Sequence, residues 1–317
     1  MIRPFDLLDV PLIAQLESQG TSLSSDAFAR GTRPLHAALA SFFSMRSRGE
    51  YTLVMPTRSG PAGFAQMRPR KTAPRAAVTF IAPGLSAGNG VTEVWSQLLD
   101  SLAVAAGDLG LHHLVAEVPE DGSEAAVLHR AGFAIFLRQD VLRLKAGNTG
   151  HSPKDMTLRP CNDADLWGIQ QLYLNTVPRL AQQAEVPPHI HHSGVVRGYV
   201  MEESGEVTAY LEIRRGAAGA LFNTIFHPQA EQYAQDVIAQ GLTLLGPRWS
   251  LPLYCCVRRY QEWLWGPLQS LGFELLSSTA VMAKRLVVSA AESERVPAHV
   301  LVQRKVTTPI VRSQNRS

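Results

Sequence analysis

The clearest hydrophobic pattern in the chain lies between residues 91 and 106, where apolar side chains recur every three or four positions. This spacing places them on one stripe of an α-helix, and Gly107 and Gly110 mark its end. The stripe comprises Val91, Val94, Trp95, Leu98, Leu99, Leu102 and Ala106. We therefore predict the strongest helix of the N-terminal half here.

Shorter apolar runs bounded by turn residues predict strands around this helix. Two of these runs flank the turn signal Arg58-Ser59-Gly60 and predict a hairpin. Helices are predicted near 12–16, at 35–45 and, after a cap at Ser123, at 124–130. Strands are predicted at 1–5, 51–55, 63–67, 76–82, 112–118, 134–136 and 141–144. The predicted order is strand, two helices, three strands, helix, strand, helix and two strands.

The same pattern begins a second time halfway along the chain. Ile2-Arg3-Pro4 matches Leu158-Arg159-Pro160, and Asp9 matches Asp165, at an offset of 156. Farther along, the Gly-Phe pair at 132–133 matches the pair at 272–273 at an offset of 140, and the matching blocks keep their order. A repeat of this length is a whole folding unit rather than one turn of a solenoid.

We predict two domains of one fold, at residues 1–147 and 156–288, because a chain of 317 residues suits about two domains. The polar, turn-rich residues 148–155 are interpreted as a linker. Residues 289–317 are predicted to form a basic, flexible tail. From residue 287 onward, five basic and two acidic residues sum to +3, which equals the net charge of the chain. The two domains together are neutral, so we expect no nucleic-acid partner.

Composition narrows the class of protein further. The chain is 45% hydrophobic and 18% charged, as in ordinary globular proteins. No apolar run approaches the roughly 20 residues needed to cross a bilayer, and residues 1–9 lack the pattern of a secretory signal. The three cysteines are too few for a disulfide framework and are interpreted as reduced core residues. We expect a cytoplasmic protein with no membrane partner, and oligomer formation stays open.

The order of elements, found twice, resembles the GNAT N-acetyltransferase superfamily. The matching features of the first copy are Ile2-Arg3-Pro4 with Asp9, Pro83 after the fourth strand, the glycine-rich loop, the long helix and residues 128–133 (LHRAGF). Those of the second copy are Leu158-Arg159-Pro160 with Asp165, His227-Pro228 and residues 268–273 (LQSLGF). The resemblance covers residues 1–286. It implies an α/β fold with an α+β mixed sheet, in two tandem acetyltransferase-like domains, each a mostly antiparallel sheet flanked by helices.

The resemblance implies acetyl-CoA as a co-substrate, bound by the loop after the fourth strand. In that family the backbone N–H groups of this loop and the dipole of the following helix hold the cofactor pyrophosphate. Glycine suits a backbone that approaches phosphate closely. A plain flexible connection is the alternative interpretation. The implied cofactor-binding residues are Ile81, Ala82, Pro83, Gly84, Leu85, Ser86, Ala87, Gly88, Asn89, Gly90 and Val91.

The corresponding segment of the second copy departs from this pattern. Residues 228–236 (PQAEQYAQD) contain no glycine, and Glu231 and Asp236 would face a phosphate with like charge. We therefore expect the first copy to bind acetyl-CoA, and the second copy to be structural or to shape the acceptor pocket.

The resemblance defines the catalytic residues less well. Amine acetylation needs a base for the attacking amine and an acid near the leaving thiolate. The family often places a tyrosine four residues before the glycine of Gly-Phe, but these positions are Leu128 and Leu268. Glu117, at the end of the fifth strand, and Asp121, just after it, are the candidate catalytic residues. A solvated carboxylate or a helix cap is the alternative for each.

His189, His191 and His192 follow two prolines and resemble a metal cluster at first sight. Because no cysteine or carboxylate pattern lies nearby, a surface loop fits better and we expect no metal site. The loop precedes the second copy's hairpin, which leaves a role in acceptor binding open.

The leading hypothesis is the transfer of an acetyl group from acetyl-CoA to an amine of a small molecule. One alternative is a catalytically inactive acetyltransferase fold that binds proteins. Another is a CoA-sensing module whose basic tail contacts a partner or an acidic surface.

Overall fold

A computed structural model describes residues 2–31, 33–43, 49–56, 62–70, 73–146, 158–190 and 194–286 of the chain. The predicted turn at 58–60, the linker at 148–155, His191, His192 and the tail at 289–317 lie outside the described residues. No helix of the described ranges combines the length and the apolar character that a membrane span requires.

The elements of the first half follow the predicted order up to the last helix, except for a short strand at Thr21–Ser22 and a short helix at Asp26–Arg30 that were not predicted. The strands are β1 (Arg3–Pro4), β2 (Thr21–Ser22), β3 (Tyr51–Met55), β4 (Gly63–Pro69), β5 (Arg75–Ala82), β6 (His113–Pro119), β7 (Ala134–Leu144), β8 (Arg159–Pro160), β9 (Val196–Glu203), β10 (Glu206–Arg215), β11 (Ala220–Phe226), β12 (Leu253–Arg258) and β13 (Glu274–Arg285). The α-helices are α1 (Val10–Leu16), α2 (Asp26–Arg30), α3 (Pro34–Phe43), α4 (Val91–Asp108), α5 (Ser123–Arg130), α6 (Leu166–Thr176), α7 (Arg179–Ala184), α8 (Ala234–Leu245) and α9 (Trp265–Ser270).

One mixed sheet of 13 strands runs through the described molecule. Its order is β1-β3-β4-β5-β6-β13-β7-β12-β11-β10-β9-β8, and β2 pairs with β5 outside this path. The sheet continues from one half into the other through β13 and β7.

The two halves exchange their last strands at this junction. β13, from the second half, pairs antiparallel with β6 of the first half over seven residues, and β7 pairs antiparallel with β12 of the second half over six. β13 and β7 also pair with each other. Each half thus completes the sheet of the other.

The sequence prediction of two strands at 134–136 and 141–144 is wrong, because β7 is one continuous strand. The intervening Arg138-Gln139-Asp140 had the polarity of a turn. In the structure these residues alternate across the strand, and Gln139 is buried with its amide bound to Glu117. Ser123 also differs from its predicted role, since Gly122 is the N-cap of α5 and Ser123 is its first residue.

The repeated Arg-Pro and Asp residues form the same motif in both halves. Arg3 donates two hydrogen bonds of 2.7 Å to Asp9, and Arg159 donates bonds of 2.8 and 2.7 Å to Asp165. Asp9 and Asp165 also accept a backbone N–H three residues back, which completes a capping box. This bidentate pair ties the first strand of each half to its first helix.

Apolar residues pack on both faces of the sheet. On one face, α4 and α5 cover the first core, which includes Trp95 and Phe133, and α8 and α9 cover the second, which includes Phe222 and Phe273. Residues of the exchanged strands are part of both cores. Ala280 and Met282 of β13 belong to the first, whereas Leu142 and Leu144 of β7 belong to the second.

On the opposite face two short helices cross between the halves. Ala29 of α2 packs against Leu221, Tyr254 and Cys256 of the second half. Ala181 of α7 belongs to a cluster with residues of β6, β7 and β13. The space between these two crossing helices and the sheet is the cavity described below.

Candidate functional site

The outer part of the loop between β5 and α4 leaves open space before the helix. Gly88 and Gly90 have φ angles of +133° and +84°, and no atom lies within 4 Å of a Cβ placed on either residue. Such angles favour glycine. Because α4 has 18 residues, the unpaired N–H groups and dipole at its start favour an anion in this space. Residues 86–90, which are exposed, therefore have the geometry of an anion-binding loop.

The inner part of the predicted cofactor loop is buried and already hydrogen-bonded. Ile81, Ala82, Pro83 and Gly84 are buried, while Leu85 is half-buried. The carbonyl of Pro83 accepts a bond of 2.7 Å from Trp95 Nε1. The N–H of Gly84 donates to the carbonyl of Gln19 at 2.6 Å. Val91 belongs to the first core.

A gap opens between β5 and β6 beside this loop. The two parallel strands pair only from Arg75 to Ala77 and from His113 to Val115, and beyond those residues no pairing between them continues. Diverging strands leave backbone groups unpaired on both inner edges. A partner must satisfy these groups in the folded protein.

Residues 19–23, which we call the gap segment, fill this gap. Thr21 and Ser22 form β2 in register with Ile81 and Phe80 of β5. Leu23 is fully buried, its N–H donates to Thr79 O at 3.1 Å, and its carbonyl accepts from the N–H of Glu117 at 2.9 Å. The gap segment thus bridges β5 and β6, and a ligand that passes between these strands must displace it.

A cavity of about 480 Å³ lies under α2 and α7, on the face of the sheet opposite α4 and α8. Both halves line it, the first through residues such as Arg70 and Glu117 and the second through residues such as Arg214 and Arg258. His189, which sequence analysis placed on a surface loop, also lines this cavity. This volume suits a small-molecule ligand.

Glu117 connects the gap to the cavity. Its backbone borders the gap segment, and its partly accessible side chain lines the cavity. Oε2 accepts bonds of 2.8 Å from Ser25 N and 3.0 Å from Gln139 Nε2. Burial raises the pKa of Glu117, and the bonds from Ser25 oppose this shift only in part. A cavity-lining carboxylate with a raised pKa is suited to accept a proton.

Asp26, at the start of α2, joins the two halves beside the cavity. Its Oδ2 atom lies 3.2 Å from a guanidinium nitrogen of Arg30, 2.8 Å from one of Arg70 and 3.2 Å from one of Arg214. Burial would raise the pKa of Asp26, but the charges of these three arginines, Arg214 foremost, hold it well below its ordinary value. Asp26 is therefore ionised.

A second charged cluster lies at the end of β12. Arg258 Nε donates to Glu185 Oε1 at 2.6 Å, and the Tyr260 hydroxyl donates to Glu185 Oε2 at 3.1 Å. Burial raises the pKa of Tyr260 well above its ordinary value, and the Glu185 carboxylate adds to that effect. This cluster fixes the segment after α7 against the sheet.

The remaining sequence candidates lie away from the cavity or in the cores. Asp121 is exposed on the turn after β6 and is not among the residues that line the cavity. Leu128 and Leu268 are fully buried in the first and second cores. Among the described residues, no group of three or more histidine, cysteine or carboxylate side chains is arranged to hold a metal ion.

Several charged residues that were not predicted as site residues lie together only because elements of the two halves cross. Asp26, Arg70, Arg214, Glu185 and Arg258 are far apart in sequence, and no spacing rule links them. Two of them carried one available signal, because Arg214 and Arg258 are charged residues within the mostly buried strands β10 and β12.

The second half contains a similar gap with different surroundings. β11 and β12 pair only over Ala220–Phe222 and Leu253–Cys255. The segment Pro228–Tyr233, which replaces the glycine loop, forms a 3-10 helix before α8. After β12, another 3-10 helix places the Trp263 ring 5.6 Å from that of Phe226, in an edge-to-face contact. Trp263 therefore packs at the open end of this gap.

Comparison with solved structures identifies the fold. A tandem GNAT protein from the clavulanic acid biosynthesis pathway superposes with a TM-score of 0.54 at 14% identity, covering 91% of this chain and 99% of its own. A GCN5-related N-acetyltransferase from Sphaerobacter thermophilus superposes with a TM-score of 0.53 at 13% identity, covering 90% of this chain and 95% of its own. No family model matches the sequence, and no curated protein matches it significantly.

The chain has the GNAT acetyltransferase fold, with a large mixed sheet flanked by helices. The similarity to a tandem GNAT protein extends over both halves, since it covers 91% of this chain. The predicted fold class and the resemblance are thus confirmed at the level of the fold. At these identities the comparison supports the fold alone.

Proposed function

We propose that the protein transfers an acyl group from acyl-CoA to an amine of a small molecule, with the donor in the first half. The observation that carries this proposal is the position of Glu117. This half-buried carboxylate borders the gap that leads from the glycine-rich loop and also lines the cavity shared by both halves. A group that faces both a donor path and an acceptor cavity is placed for proton transfer.

The donor's pyrophosphate binds at residues 86–90, where the start of α4 faces open space. From there the acyl end reaches Glu117 through the gap between β5 and β6. The gap segment must leave that gap first, so donor binding is coupled to its displacement. The tandem GNAT protein is described as a form without AcCoA, which supports acetyl-CoA as the first donor to test.

The acceptor amine binds in the cavity beside Glu117. Only a neutral amine is nucleophilic, so the ammonium proton or the proton released on attack must be accepted by a base. Glu117 takes this proton, the nitrogen bonds to the acyl carbon, and the carbon–sulfur bond breaks as the thiolate leaves with its electron pair. The raised pKa of Glu117 makes it a stronger base than an exposed glutamate.

Release of free thiol from acetyl-CoA, measured with a panel of small amines, tests this proposal. Wild type should release thiol in an amine-dependent manner, and Glu117→Gln should lower kcat by about 10²- to 10⁴-fold, the range for general-base catalysis. Asp121→Asn is the matched control, because Asp121 is an exposed carboxylate nearby in sequence. Equal activity of wild type and Glu117→Gln would contradict the proposed role.

A further inference from the structure

The lining of the central cavity carries more positive than negative groups. Five guanidiniums and four carboxylates line it. Three of the carboxylates already bind arginine, since Asp26 accepts from Arg70, Glu212 from Arg214 and Glu185 from Arg258. The fourth is Glu117, whose bonds come from Ser25 and Gln139. Arg68 pairs with Glu50 outside the lining, which leaves Arg75 as the lining guanidinium without a carboxylate partner among the described residues.

Arg75, on β5, is the lining guanidinium whose hydrogen bonds go to carbonyl groups rather than to a carboxylate. Its nitrogens donate to the backbone oxygens of Gln182, at 3.3 and 3.4 Å, and of Glu185. Its Nε is buried and has no partner among the described residues, and the residue as a whole is only 9% exposed. A buried charged donor without a partner is costly, because it has lost its hydration.

Tyr173, on α6, is a second unpartnered donor at the same place. It is 3% exposed, lines the cavity, and its hydroxyl has no hydrogen-bond partner among the described residues. Arg75 and Tyr173 lie close enough to interact electrostatically. Glu185 also faces both residues, but Arg258 and Tyr260 already bind its carboxylate. A guanidinium and a hydroxyl in this arrangement suit an anionic oxygen ligand.

We propose that Arg75 and Tyr173 form a subsite for an anionic group, carboxylate or phosphate, so that the acceptor is an amine that also carries an anion. The identification of the ligand as the acceptor rests on the proposed acyl transfer, whereas the anion-binding subsite does not depend on it. The anion accepts hydrogen bonds from Arg75 Nε and the Tyr173 hydroxyl. The amine end then lies toward Glu117, which lines the same cavity.

Calorimetric titration without any acyl-CoA tests the subsite. The probes are two matched pairs, 6-aminohexanoate against 6-aminohexanamide and O-phosphoethanolamine against ethanolamine. In at least one pair the anionic member should bind wild type about tenfold or more tightly than its neutral partner, as expected for a charge-assisted hydrogen bond. The pair that shows the preference identifies carboxylate or phosphate as the anion.

Two variants and a control test whether Arg75 and Tyr173 cause the preference for the anionic probes. Arg75→Gln should abolish it, whereas Arg130→Gln, an exposed arginine at the end of α5, should leave it unchanged. Tyr173→Phe removes only an oxygen without a partner, so it should fold normally and weaken the anionic probe several-fold, since one hydrogen bond is lost. Arg75 also donates to the carbonyl of Gln182 in α7. If Arg75→Gln disturbs the packing of that helix, Tyr173→Phe still tests the subsite.

Equal binding of the anionic and neutral members in both pairs would overturn the subsite. A preference that survives both Arg75→Gln and Tyr173→Phe would also overturn it. Because acyl-CoA is absent from these titrations, an absence of acyl transfer would contradict the proposed function and leave a measured anion preference as support for the subsite.

Discussion

Asp26 is one carboxylate shared by three guanidiniums, and it links the halves because Arg70 belongs to the first and Arg214 to the second. Its charge offsets positive charges that are themselves removed from water. Burial and the neighbouring arginines lower the pKa of Arg30, even though Asp26 acts to raise it. Loss of the carboxylate would leave Arg30 and Arg70 without an ion pair among the described residues, although Arg214 would keep its bond to Glu212.

Asp26→Asn should therefore lower the free energy of unfolding by about 3 to 5 kcal/mol, the range for breaking a buried ion pair from one side. Asp100→Asn is the matched control. Asp100 lies 3.1 Å from Lys284 but its side chain is 68% exposed, so its loss should cost about 1 kcal/mol or less. Urea denaturation measures both values, and equal costs would contradict a special role for Asp26.

Glu117 predicts a pH dependence of stability. The pKa of this carboxyl is higher in the folded protein than its ordinary value, so the folded state holds a proton that the unfolded state releases. The free energy of unfolding should therefore fall as pH rises from the ordinary to the raised pKa. Glu117→Gln lacks this dependence, so relative to wild type it should gain stability as pH rises through that window.

Urea denaturation of both proteins between about pH 4 and pH 8 measures this difference, since glutamate ordinarily titrates near the lower limit. Asp121→Asn serves as the control, and its stability should stay within about 0.5 kcal/mol of wild type, as for other exposed positions. A difference between Glu117→Gln and wild type that does not change with pH would mean that Glu117 is not held in a desolvated site.

At the scale of elements, the sequence predicted most of the scaffold and little of what joins it. The periodic stripe of α4 and the apolar runs of β3, β5 and β6 were predicted to within a few residues, because burial on a single face leaves a regular pattern. The gap segment left no such pattern. Its five residues, 19–23 (QGTSL), are short or polar except for Leu23, the single large apolar residue.

The gap segment should compete with acetyl-CoA, and a disulfide can hold it in place. Ser22 and Phe80 are directly opposed in register, and opposed antiparallel residues are close enough for a disulfide. The double variant Ser22→Cys, Phe80→Cys should lose acetyl-CoA binding when oxidised and recover it on reduction. Calorimetric titration in both redox states measures this effect.

A matched control disulfide joins Glu203→Cys to Glu206→Cys, an exposed opposed pair in the β9–β10 hairpin. It should leave acetyl-CoA binding unchanged in either redox state, which also accounts for oxidation of the native cysteines. If the oxidised gap-segment variant binds acetyl-CoA as tightly as the reduced one, the donor does not pass between β5 and β6.

At the scale of the whole molecule, the strand exchange makes each half depend on the other. Sequence repeats predicted two copies of one fold, but they carry no information about which copy receives a strand. β7 and β13 have the same position in their own copies, and either pairing satisfies their backbone groups. The cavity between the halves could not be predicted for the same reason.

Cleavage of the predicted linker should not separate the halves. A protease site inserted within residues 148–155 would leave β13 paired with β6 and β7 paired with β12. The two fragments should elute together in size-exclusion chromatography and separate only in denaturant. Elution as two independent folded fragments would contradict the exchanged arrangement.

The most direct test of the account is calorimetric titration of acetyl-CoA into wild type and two glycine variants. Gly90 and Gly110 flank opposite ends of α4, whose 18 residues span about 27 Å. Both have positive φ, +84° and +73°, and a Cβ placed on either residue would have no atom within 4 Å. Glutamate therefore adds the same strain and charge at both sites.

We predict that wild type and Gly110→Glu bind acetyl-CoA alike, whereas Gly90→Glu does not, because its carboxylate meets the pyrophosphate at the start of the helix. Equal binding of acetyl-CoA by all three proteins would mean that its pyrophosphate does not bind at the start of α4. Absence of binding to wild type would contradict acyl-CoA as the donor.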